Sequence, residues 1–377
     1  MTGNLRILHV MRAPVGGLFR HVLDLSREQA RSGHAIGIIA DSNASDALTR
    51  ERLASAVSHL ELGVTLIPMG RRPGLSDIGA VRAVAQHVAK AKPDVVHGHG
   101  AKGGAYARAA ASKIKSSAGR PVAAFYTPHG GTLNFDPRSL EGRMYHSIER
   151  LLARRTAGLI FESDYARRQF LQHIGDLGIA LRVIPNGLSP EDFAPHAPEP
   201  GAADFLFVGE LRDLKGVDAL LRALRILNAE RPARAIIVGS GPDEAKFRHL
   251  ATELGLDGLV SFTGAMPARS AFRLGRCLVV PSLKESFPYI VLEGAAARLP
   301  LVATHVGGIP EMVAGTPVQL VEPGNVAQLA DAMRRAVSNR DDVSREVESL
   351  AKAVAARFTV DRMTADVLDF YAFALSR

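Results

Sequence analysis

Two glutamates eight residues apart, Glu285 and Glu293, flank a loop and the predicted start of an apolar helix. Pro288 is predicted in the first turn of an apolar helix, with Ser286 as a capping residue before it. Free amide groups of a first helical turn attract anions. Carboxylates at both ends of such an amide cluster fit a ligand with hydroxyls at its ends and phosphates between. Acids near a helix start also occur for structural reasons, because they complement the helix dipole.

Glycine turns elsewhere in the chain could hold phosphate groups. Gly16 and Gly17 follow the first predicted strand, where a backbone without side chains can approach a ligand closely. In a later turn, Arg212 and Lys215 could place two cations on a diphosphate. Surface cations at helix starts are also often merely solvated, so this turn alone does not establish a site.

A third glycine turn, Val238-Gly239-Ser240-Gly241-Pro242, ends another predicted strand. It lacks the third glycine of the dinucleotide-binding fingerprint, because Glu244 stands at that position. The sequence therefore disfavours a nicotinamide cofactor.

Three histidines lie at predicted strand ends: His97, His99 and His129. A strand-end histidine is commonly a hydrogen-bonded structural group, and we rank His97 and His99 below His129 for that reason. His129 follows Thr127-Pro128 and precedes two glycines, which favours a functional role.

Apolar strand-like runs alternate with helical periodicity along the whole chain, which predicts an α/β protein with parallel sheets covered on both faces. The alternation stops at a Pro/Gly/Ala-rich stretch and then restarts. We expect two doubly wound domains facing across a cleft, with ligands beyond the carboxyl ends of the strands. The predicted limits are 1–195 for the N-terminal domain, 196–203 for a linker, 204–358 for the C-terminal domain, and 359–377 for a helix that packs back on the N-terminal domain.

Charge is unevenly distributed between the two halves. Residues 1–195 contain 25 Lys and Arg against 16 Asp and Glu, a net charge of +9, and the remainder has 21 against 22, a net charge of −1. A basic half favours an anionic partner such as a phosphorylated acceptor or an acidic membrane surface. A nucleic-acid partner is disfavoured, since the chain has no Trp and only 6% aromatic residues for base stacking.

The composition predicts a chain that does not span a membrane. No apolar run approaches the ~18 residues of a membrane span. The first residues lead directly into a strand, so we expect no signal peptide. With Cys277 as its single cysteine, the chain can form no internal disulfide, which indicates a reducing, cytoplasmic location.

The ordered set of motifs resembles the GT-B glycosyltransferases, specifically the retaining glycosyltransferase family 4. The resemblance covers nearly the whole chain. Its motifs are the early Gly-Gly, Asp94-Val-Val-His97-Gly-His99, Thr127-Pro-His129-Gly130, Ile184-Pro-Asn186-Gly187, the Gly-x-Leu-x-x-x-Lys-Gly turn, Gly-x-Gly-Pro, Phe-Thr-Gly, the glutamate pair and Gly-Gly-x-Pro-Glu.

This resemblance implies roles for individual residues. Glu285 would bind donor-sugar hydroxyls, Glu293 the ribose, and Lys215 the diphosphate, while His129 would lie near the reacting centre. The catalytic set is then His129, Glu285 and Lys215, and His97 and His99 are on the acceptor side. The implied donor-binding residues are Gly16, Gly17, Arg212, Lys215, Gly239, Gly264, Met266, Glu285, Ser286, Phe287, Pro288, Tyr289 and Glu293. A UDP- or GDP-sugar is the implied donor, with no cofactor.

One position departs from the family pattern. The family turn usually has Arg directly after its first glycine, whereas this chain has Glu210. Arg212 is the candidate replacement, and we expect Glu210 to turn away from a diphosphate. If Arg212 does not replace the cation, diphosphate binding rests on Lys215 and backbone amides.

The implied reaction moves a hexosyl group from a nucleoside diphosphate sugar to an acceptor hydroxyl, with retention, in polysaccharide or glycolipid synthesis. No Asp-x-Asp triplet occurs, so we expect no metal dependence. With no evident covalent nucleophile, a front-side displacement is preferred. Two alternatives remain open: a GT-B epimerase, and a nucleotide-sugar-binding protein without turnover, which the Glu210 departure motivates.

The kind of acceptor is inferred from a predicted basic amphipathic helix at residues 140–155. Its apolar stripe is Leu140, Met144, Ile148, Leu151 and Leu152, with arginines on the flanks. Such a helix can lie on an anionic bilayer at the inner face of the membrane, with a glycan or lipid-linked acceptor. Packing of the stripe on the sheet explains the same pattern, and is the commoner cause.

Overall fold

The computed structural model describes residues 3–14, 16–43, 47–71, 74–112, 114–338 and 340–376, without the side chains of 47–49, 132, 134 and 340. The chain divides into two compact units. The first comprises Met1–Gly187 and Val360–Arg377, and the second comprises Leu188–Thr359.

The first unit is built on a seven-stranded sheet whose neighbouring strands are all parallel. Its order is β3-β2-β1-β4-β5-β6-β7. The strands are β1 Arg6–Met11, β2 Ala35–Asp41, β3 Gly63–Ile67, β4 Val95–His99, β5 Ala123–Thr127, β6 Gly158–Phe161 and β7 Ala180–Val183. The strand order reverses between β1 and β4, and the crevice beside such a switch point is where doubly wound sheets bind ligands.

Helices cover this sheet in alternation with the strands. They are α1 Gly16–Arg31, α2 Ala47–Ala56, α3 Ser76–Ala91, α4 Gly100–Ala111, α5 Leu140–Ala153 and α6 Asp164–His173.

The second unit repeats the architecture on a smaller scale. Its five strands are β8 Ala203–Val208, β9 Ala235–Val238, β10 Val260–Gly264, β11 Gly275–Val280 and β12 Leu301–Ala303. They form an all-parallel sheet of order β10-β9-β8-β11-β12, so its switch point lies between β8 and β11. Its helices are α7 Val217–Asn228, α8 Glu244–Glu253, α9 Ala268–Ala271, α10 Tyr289–Ala296, α11 Ile309–Val313, α12 Val326–Ser338 and α13 Arg340–Arg357.

The last helix, α14 Val360–Leu375, belongs to the first unit. Its Phe370 and Tyr371 are buried in one apolar cluster with Phe125 of β5 and Ile7 of β1. The stretch predicted as a linker, 196–203, lies inside the second unit, and the units divide at Gly187 and Leu188, before the predicted limit at residue 195.

Continuous apolar strands explain why both sheets are parallel and buried. Every residue of β2 is buried, and so are the last five residues of β1. Strands of this type need helices on both faces to remove them from water, as the sequence predicted. Burial also raises the pKa of the Cys277 thiol in β11 to about 12, so this cysteine is an inert core residue.

The preferred interpretation of α5 is wrong: its apolar stripe does not pack on the sheet. Leu140 and Leu151 are 84% and 69% exposed, and Met144 and Ile148 are also exposed. Leu152 alone of the stripe is buried.

A buried ion pair accounts for the orientation of α5. Glu149, on the inner face of α5, lies 2.7 Å from Nη1 of Arg108 in α4, and both side chains are almost fully buried. The Arg108 guanidinium also lies 4.0 Å from the ring centroid of Tyr126. Because a buried charge must keep its partner, Glu149 directs its face of α5 inward and leaves Leu140 and Leu151 exposed.

No helix among the described residues is both long enough and apolar enough to cross a membrane.

Candidate active site

The candidate site of the second unit is centred on an ion pair between Lys215 and Glu285. The Lys215 Nζ lies 2.6 Å from Glu285 Oε1, and Ser282 donates its hydroxyl to the same oxygen at 2.8 Å. Lys215 follows β8 and Glu285 follows β11, the two strands that flank the switch point of this sheet. The sequence predicted both residues, and the structure brings them together although 70 positions separate them.

Close backbone contacts fix these two loops against each other. Leu283 donates its amide to the Leu214 carbonyl at 2.9 Å. Gly216 has φ +67°, and a Cβ there would lie 2.0 Å from the carbonyl oxygen of Pro281. Only glycine fits this position, so the turn after Lys215 can lie directly on the end of β11.

Exposure differs between the two members of the pair. The Glu285 side chain is 9% exposed, whereas that of Lys215 is 28% exposed. The ammonium is therefore accessible to an anionic ligand, and the carboxylate is held in place by two donors. This arrangement can bind hydroxyl groups and a phosphate side by side.

The helix after Glu285 begins later than predicted. Pro288 is the residue before α10 rather than part of its first turn, and the predicted cap by Ser286 is not formed. The Ser286 Oγ is buried and has no hydrogen-bond partner among the described residues. Glu293 is the fifth residue of α10.

Phe287 and Tyr289 place their side chains in the core of the second unit. A ligand could therefore contact this segment through its backbone. The Ser286 carbonyl is already used, because it accepts the Gly308 amide at 2.7 Å. In the first turn of α10, Val291 donates its amide to the Pro288 carbonyl at 3.2 Å, and Pro288 itself has no N–H to donate.

Arg212 and Glu210 contact each other in the turn after β8. The Arg212 Nη1 lies 3.7 Å from Glu210 Oε2, and both side chains are about half exposed. Water and counterions screen such a pair, so it holds Arg212 only weakly. Glu210 thus lies beside the candidate cation Arg212.

Gly239, Gly264 and Met266 lie at or just after the ends of the neighbouring strands β9 and β10. A Cβ at Gly239 would lie 1.8 Å from the Gly209 carbonyl oxygen, so the turns after β8 and β9 pack backbone on backbone. The Gly239 amide donates to the Gly264 carbonyl at 2.9 Å. Met266 is half-buried against the core.

In the first unit, Gly16 and Gly17 form the start of α1 directly after β1. Both are exposed, and Gly16 has φ +61°, a left-handed conformation that glycine adopts without strain. They occupy the switch point of the first sheet, where the sequence placed a ligand-approaching turn.

His97 and His99 are fully buried in β4 and form part of a histidine cluster. His97 bonds through Nδ1 to the Tyr371 hydroxyl at 2.6 Å and through Nε2 to the Thr127 hydroxyl at 2.8 Å. Burial holds the pKa of both histidines well below the usual range, so they are neutral. Groups without exposed surface do not contact an acceptor directly, so the acceptor-side assignment stays a prediction.

His129 has a strained backbone and a carboxylate partner. Its φ of +49° is unusual for a residue with a side chain, and such strain is concentrated at functional sites. Its Nδ1 lies 2.9 Å from Glu162 Oε1, and its Nε2 lies 3.2 Å from His99 Nδ1.

Sequence reasoning missed the other members of this cluster, namely His9, His21, Glu162 and Asn186. His9 lies beside His97 in the register of β1 and β4, and His21 Nδ1 bonds to Asn186 Oδ1 at 2.9 Å. Polar residues within apolar strands, such as His9, were the available signal. Pairings between residues far apart in the chain, such as His21 with Asn186, leave no signal in the sequence.

Two family models match the chain. The model described as Glycosyltransferase Family 4 matches residues 15–192, and the model described as Glycosyl transferases group 1 matches residues 202–339. With the two parallel-sheet domains, these matches define the class of protein: a GT-B glycosyltransferase, which uses a sugar-nucleotide donor. The first of the two matched domains is a glycosyltransferase family 4 domain, the family that the motifs of the sequence resemble.

Relatives of known name agree with this class. The D-inositol 3-phosphate glycosyltransferase of Pseudarthrobacter chlorophenolicus is 26% identical over 84% of this chain and 81% of its own length. The glycogen synthase of Mycobacterium tuberculosis is 27% identical over 94% of this chain and 91% of its own.

Solved structures share the fold. Anabaena HepE in complex with UDP-glucose has a TM-score of 0.81 at 18% identity, covering 98% of this chain and all of that one. The sucrose-phosphate synthase of Thermosynechococcus elongatus has a TM-score of 0.80 at 19% identity, covering 99% of this chain and all of its own.

Proposed function

We propose that this glycosyltransferase is a retaining enzyme that moves a hexosyl group from a UDP- or GDP-sugar to an acceptor hydroxyl. The observation that carries the proposal is the Lys215–Glu285 pair at the switch point of the second sheet. It combines a buried carboxylate, which can accept hydrogen bonds from hydroxyls, with an accessible ammonium group. A sugar linked to a diphosphate requires both.

Each residue of this site has a proposed role toward the donor. Glu285 accepts hydrogen bonds from the sugar hydroxyls, and Lys215 turns from Glu285 to the diphosphate when the donor binds. Glu293 in α10 binds the ribose hydroxyls. The segment from Phe262 to Met266 borders the base.

The proposed chemistry stabilises charge on the departing nucleoside diphosphate. Lys215, Arg212 and the first-turn amides of α10 supply that stabilisation with no metal ion at the diphosphate. From the first unit, Gly16 and Gly17 are proposed to bind the diphosphate, and His129 to act near the reacting centre. The acceptor oxygen attacks from the face that the diphosphate leaves, which retains the anomeric configuration.

A panel of UDP-, GDP- and ADP-sugars tests this function. For each sugar, binding is measured by calorimetry, and turnover is measured as nucleoside diphosphate released with and without simple acceptors. We expect binding and slow release for at least one UDP- or GDP-sugar, stimulated by an acceptor, with an α-linked product from an α-linked donor. An inverted product, or no binding to any sugar, contradicts the proposal.

The panel also separates the two alternatives. A GT-B epimerase would return the donor with an epimerised sugar and no acceptor requirement. A binding protein without turnover would bind a donor and release nothing, and the 3.7 Å contact between Glu210 and Arg212 is the observation that favours it. In that case, Glu210→Arg should restore release, because this change supplies the cation that the family has at this position.

We propose further that the acceptor is glycan or lipid-linked and is met at the inner, anionic surface of the cytoplasmic membrane. The support is the exposed face of α5, where Leu140, Met144, Ile148 and Leu151 lie beside the exposed arginines Arg143, Arg154 and Arg155. An apolar stripe flanked by arginines is the pattern of a helix that lies in a membrane interface. The net charge of +9 in the N-terminal half adds electrostatic attraction to anionic lipids.

A further inference from the structure

Five histidines of the first unit form a buried cluster that sequence reasoning did not find as a unit. His9, His21, His97 and His99 are at most 2% exposed, and the His129 side chain is 8% exposed. Two combinations bring three ring nitrogens within 4.8 Å of one another: His9 with His97 and His99, and His21 with His99 and His129. Hydrogen bonds decide which of the two could hold a metal ion.

The first combination has no free lone pair at His97. Both nitrogens of its ring are already bonded, Nδ1 to the Tyr371 hydroxyl and Nε2 to the Thr127 hydroxyl. A metal at this position would have to break one of these buried bonds. The His9–His97–His99 group is therefore not a candidate.

In the second combination, the outer nitrogen of every ring faces an acceptor. His21 Nδ1 donates to Asn186 Oδ1 at 2.9 Å, and His129 Nδ1 donates to Glu162 Oε1 at 2.9 Å. His99 Nε2 lies 3.0 Å from His9 Nδ1.

His9 acts as the acceptor in that last contact. Its Nε2 donates to Gln29 Oε1 at 2.8 Å, which leaves the lone pair of a neutral His9 on Nδ1. His99 must then donate from Nε2. A partner that fixes the tautomer of each ring is the usual second shell of a histidine metal ligand.

With all three rings neutral, the three inner nitrogens then all carry lone pairs. His21 Nε2 is buried and has no hydrogen-bond partner in the described part of the chain. His99 Nδ1 and His129 Nε2 lie 3.2 Å apart with no proton assigned to either by their outer partners. Two lone pairs at that distance repel each other unless a cation lies between them.

We propose that His21 Nε2, His99 Nδ1 and His129 Nε2 bind one first-row divalent transition-metal ion, with Zn²⁺ the expected occupant. In tetrahedral zinc sites with Zn–N bonds of about 2.0–2.1 Å, neighbouring nitrogens lie about 3.3 Å apart, close to the 3.2 Å observed between His99 and His129. Neutral imidazoles are the form of histidine that binds a metal.

The ion would join three separate elements of the first unit. His21 lies in α1, His99 ends β4, and His129 follows β5 with its left-handed backbone. Three nitrogen ligands leave the fourth tetrahedral position for a water molecule. The Glu162 carboxylate, hydrogen-bonded to the ligand His129, offsets part of the positive charge.

The test measures metal directly, on full-length protein purified without a histidine tag. After removal of metal with a chelator, Zn²⁺ or Co²⁺ is titrated in by calorimetry, and metal content is measured by mass spectrometry. We expect one ion per chain, ligand-field bands of tetrahedral Co²⁺, and a higher unfolding temperature with the ion than without it.

Variants locate the site. His21→Leu should lower the affinity for Zn²⁺ by about 100-fold or more, because it removes a ligand whose inner nitrogen makes no other bond. His97→Gln is the matched control, since His97 is equally buried in the same cluster but is not a ligand, and the exposed His249→Gln controls for surface binding. If His21→Leu does not fold, Asn186→Ala tests the same ligand through its outer partner and should weaken binding about 10-fold or more.

The inference is overturned if wild-type protein binds no stoichiometric ion and its unfolding temperature responds to neither chelator nor Zn²⁺. It is also overturned if His21→Leu and Asn186→Ala bind as tightly as wild type. The 3.2 Å contact would then be an ordinary hydrogen bond, with the Gln29 amide turned over and the protons of the chain reversed. Metal binding is measured without a donor, so its outcome is independent of the proposed function.

Discussion

At the scale of single residues, the Arg108–Glu149 pair is a strong constraint on the first unit. Both charges are removed from water, Arg108 also donates to the Gly104 carbonyl at 2.9 Å, and Glu149 accepts from the Tyr126 hydroxyl at 3.2 Å. A buried pair of this type contributes little net stability beyond that of apolar replacements, but loss of one partner leaves an uncompensated charge.

Removal of one member of the pair should therefore destabilise the protein far more than replacement of both members by apolar residues. Glu149→Ala should lower the free energy of unfolding by about 3–5 kcal/mol, and the Arg108→Met/Glu149→Leu double variant by clearly less. Urea unfolding followed by tyrosine fluorescence measures this, since five of the six tyrosines lie in the first unit and the chain has no Trp. The exposed Arg345→Ala should stay within about 0.5 kcal/mol of wild type. A similar loss for single and double variants would argue against this account.

The buried histidines should make the first unit sensitive to acid. Burial lowers the pKa of His9 to about 4 and that of His97 well below its usual value near 6.5. The unfolded chain takes up protons near pH 6.5 and the folded unit does not, so stability is full above about pH 6.5 and falls toward pH 4. The slope is at most about 1.4 kcal/mol per pH unit for each histidine.

Urea unfolding at pH 7.5, 6 and 5 in the presence of a chelator, which keeps metal out of the cluster, measures this slope. His97→Gln should flatten the slope, whereas the exposed His249→Gln should not change it. A stability that does not change between pH 7.5 and 5 would contradict the neutral state of these rings in the folded protein.

At the scale of elements, α5 shows what a sequence pattern can and cannot predict. Its periodicity correctly predicted an amphipathic helix, and its limits of Leu140–Ala153 lie close to the predicted 140–155. The direction of its apolar stripe could not be predicted, because it depends on Glu149 finding Arg108 on another helix. Gly142 reinforces that choice, since a Cβ there would lie 2.0 Å from the Asp136 carbonyl oxygen.

The exposed stripe of α5 predicts binding to anionic vesicles. Wild-type protein should co-sediment with vesicles that contain phosphatidylglycerol and much less with neutral ones. Leu140→Ser/Leu151→Ser and Arg143→Glu/Arg154→Glu should each weaken binding at least about tenfold. Ile226→Ser and Arg345→Glu, exposed changes in the second unit, are the matched controls. Equal binding to neutral and anionic vesicles would remove the membrane from the proposal.

At the scale of the whole molecule, the sequence predicted two parallel-sheet domains, and the structure and the family matches confirm them. This prediction was possible because buried parallel strands are continuous apolar runs. Such runs can be recognised in the sequence without knowing which residues meet in the folded protein. Glu285 and Lys215 were predicted as site residues because both stand in loops after predicted strands and match the family motifs. The strand order, which puts both loops beside the switch point, came only from the structure.

The histidine cluster was largely missed, because its members come from α1, β1 and β4 and from the loops after β5, β6 and β7, which only the folded topology brings together. The position of Pro288 before α10 was missed for a local reason. Its ψ of 120° is extended, so the helix starts one residue later, at Tyr289.

The proposal that the Lys215–Glu285 pair carries glycosyl transfer is tested by the rate of nucleoside diphosphate release from the donor that the panel identifies. Lys215→Ala and Glu285→Gln should each reduce this rate by about 10²–10³, because the first removes the cation at the departing diphosphate and the second removes the carboxylate that holds the sugar hydroxyls. Lys352→Ala and Glu253→Gln, exposed changes in the same unit, should leave it unchanged. Near-normal release by either site variant, with the fold intact by circular dichroism, would contradict the account.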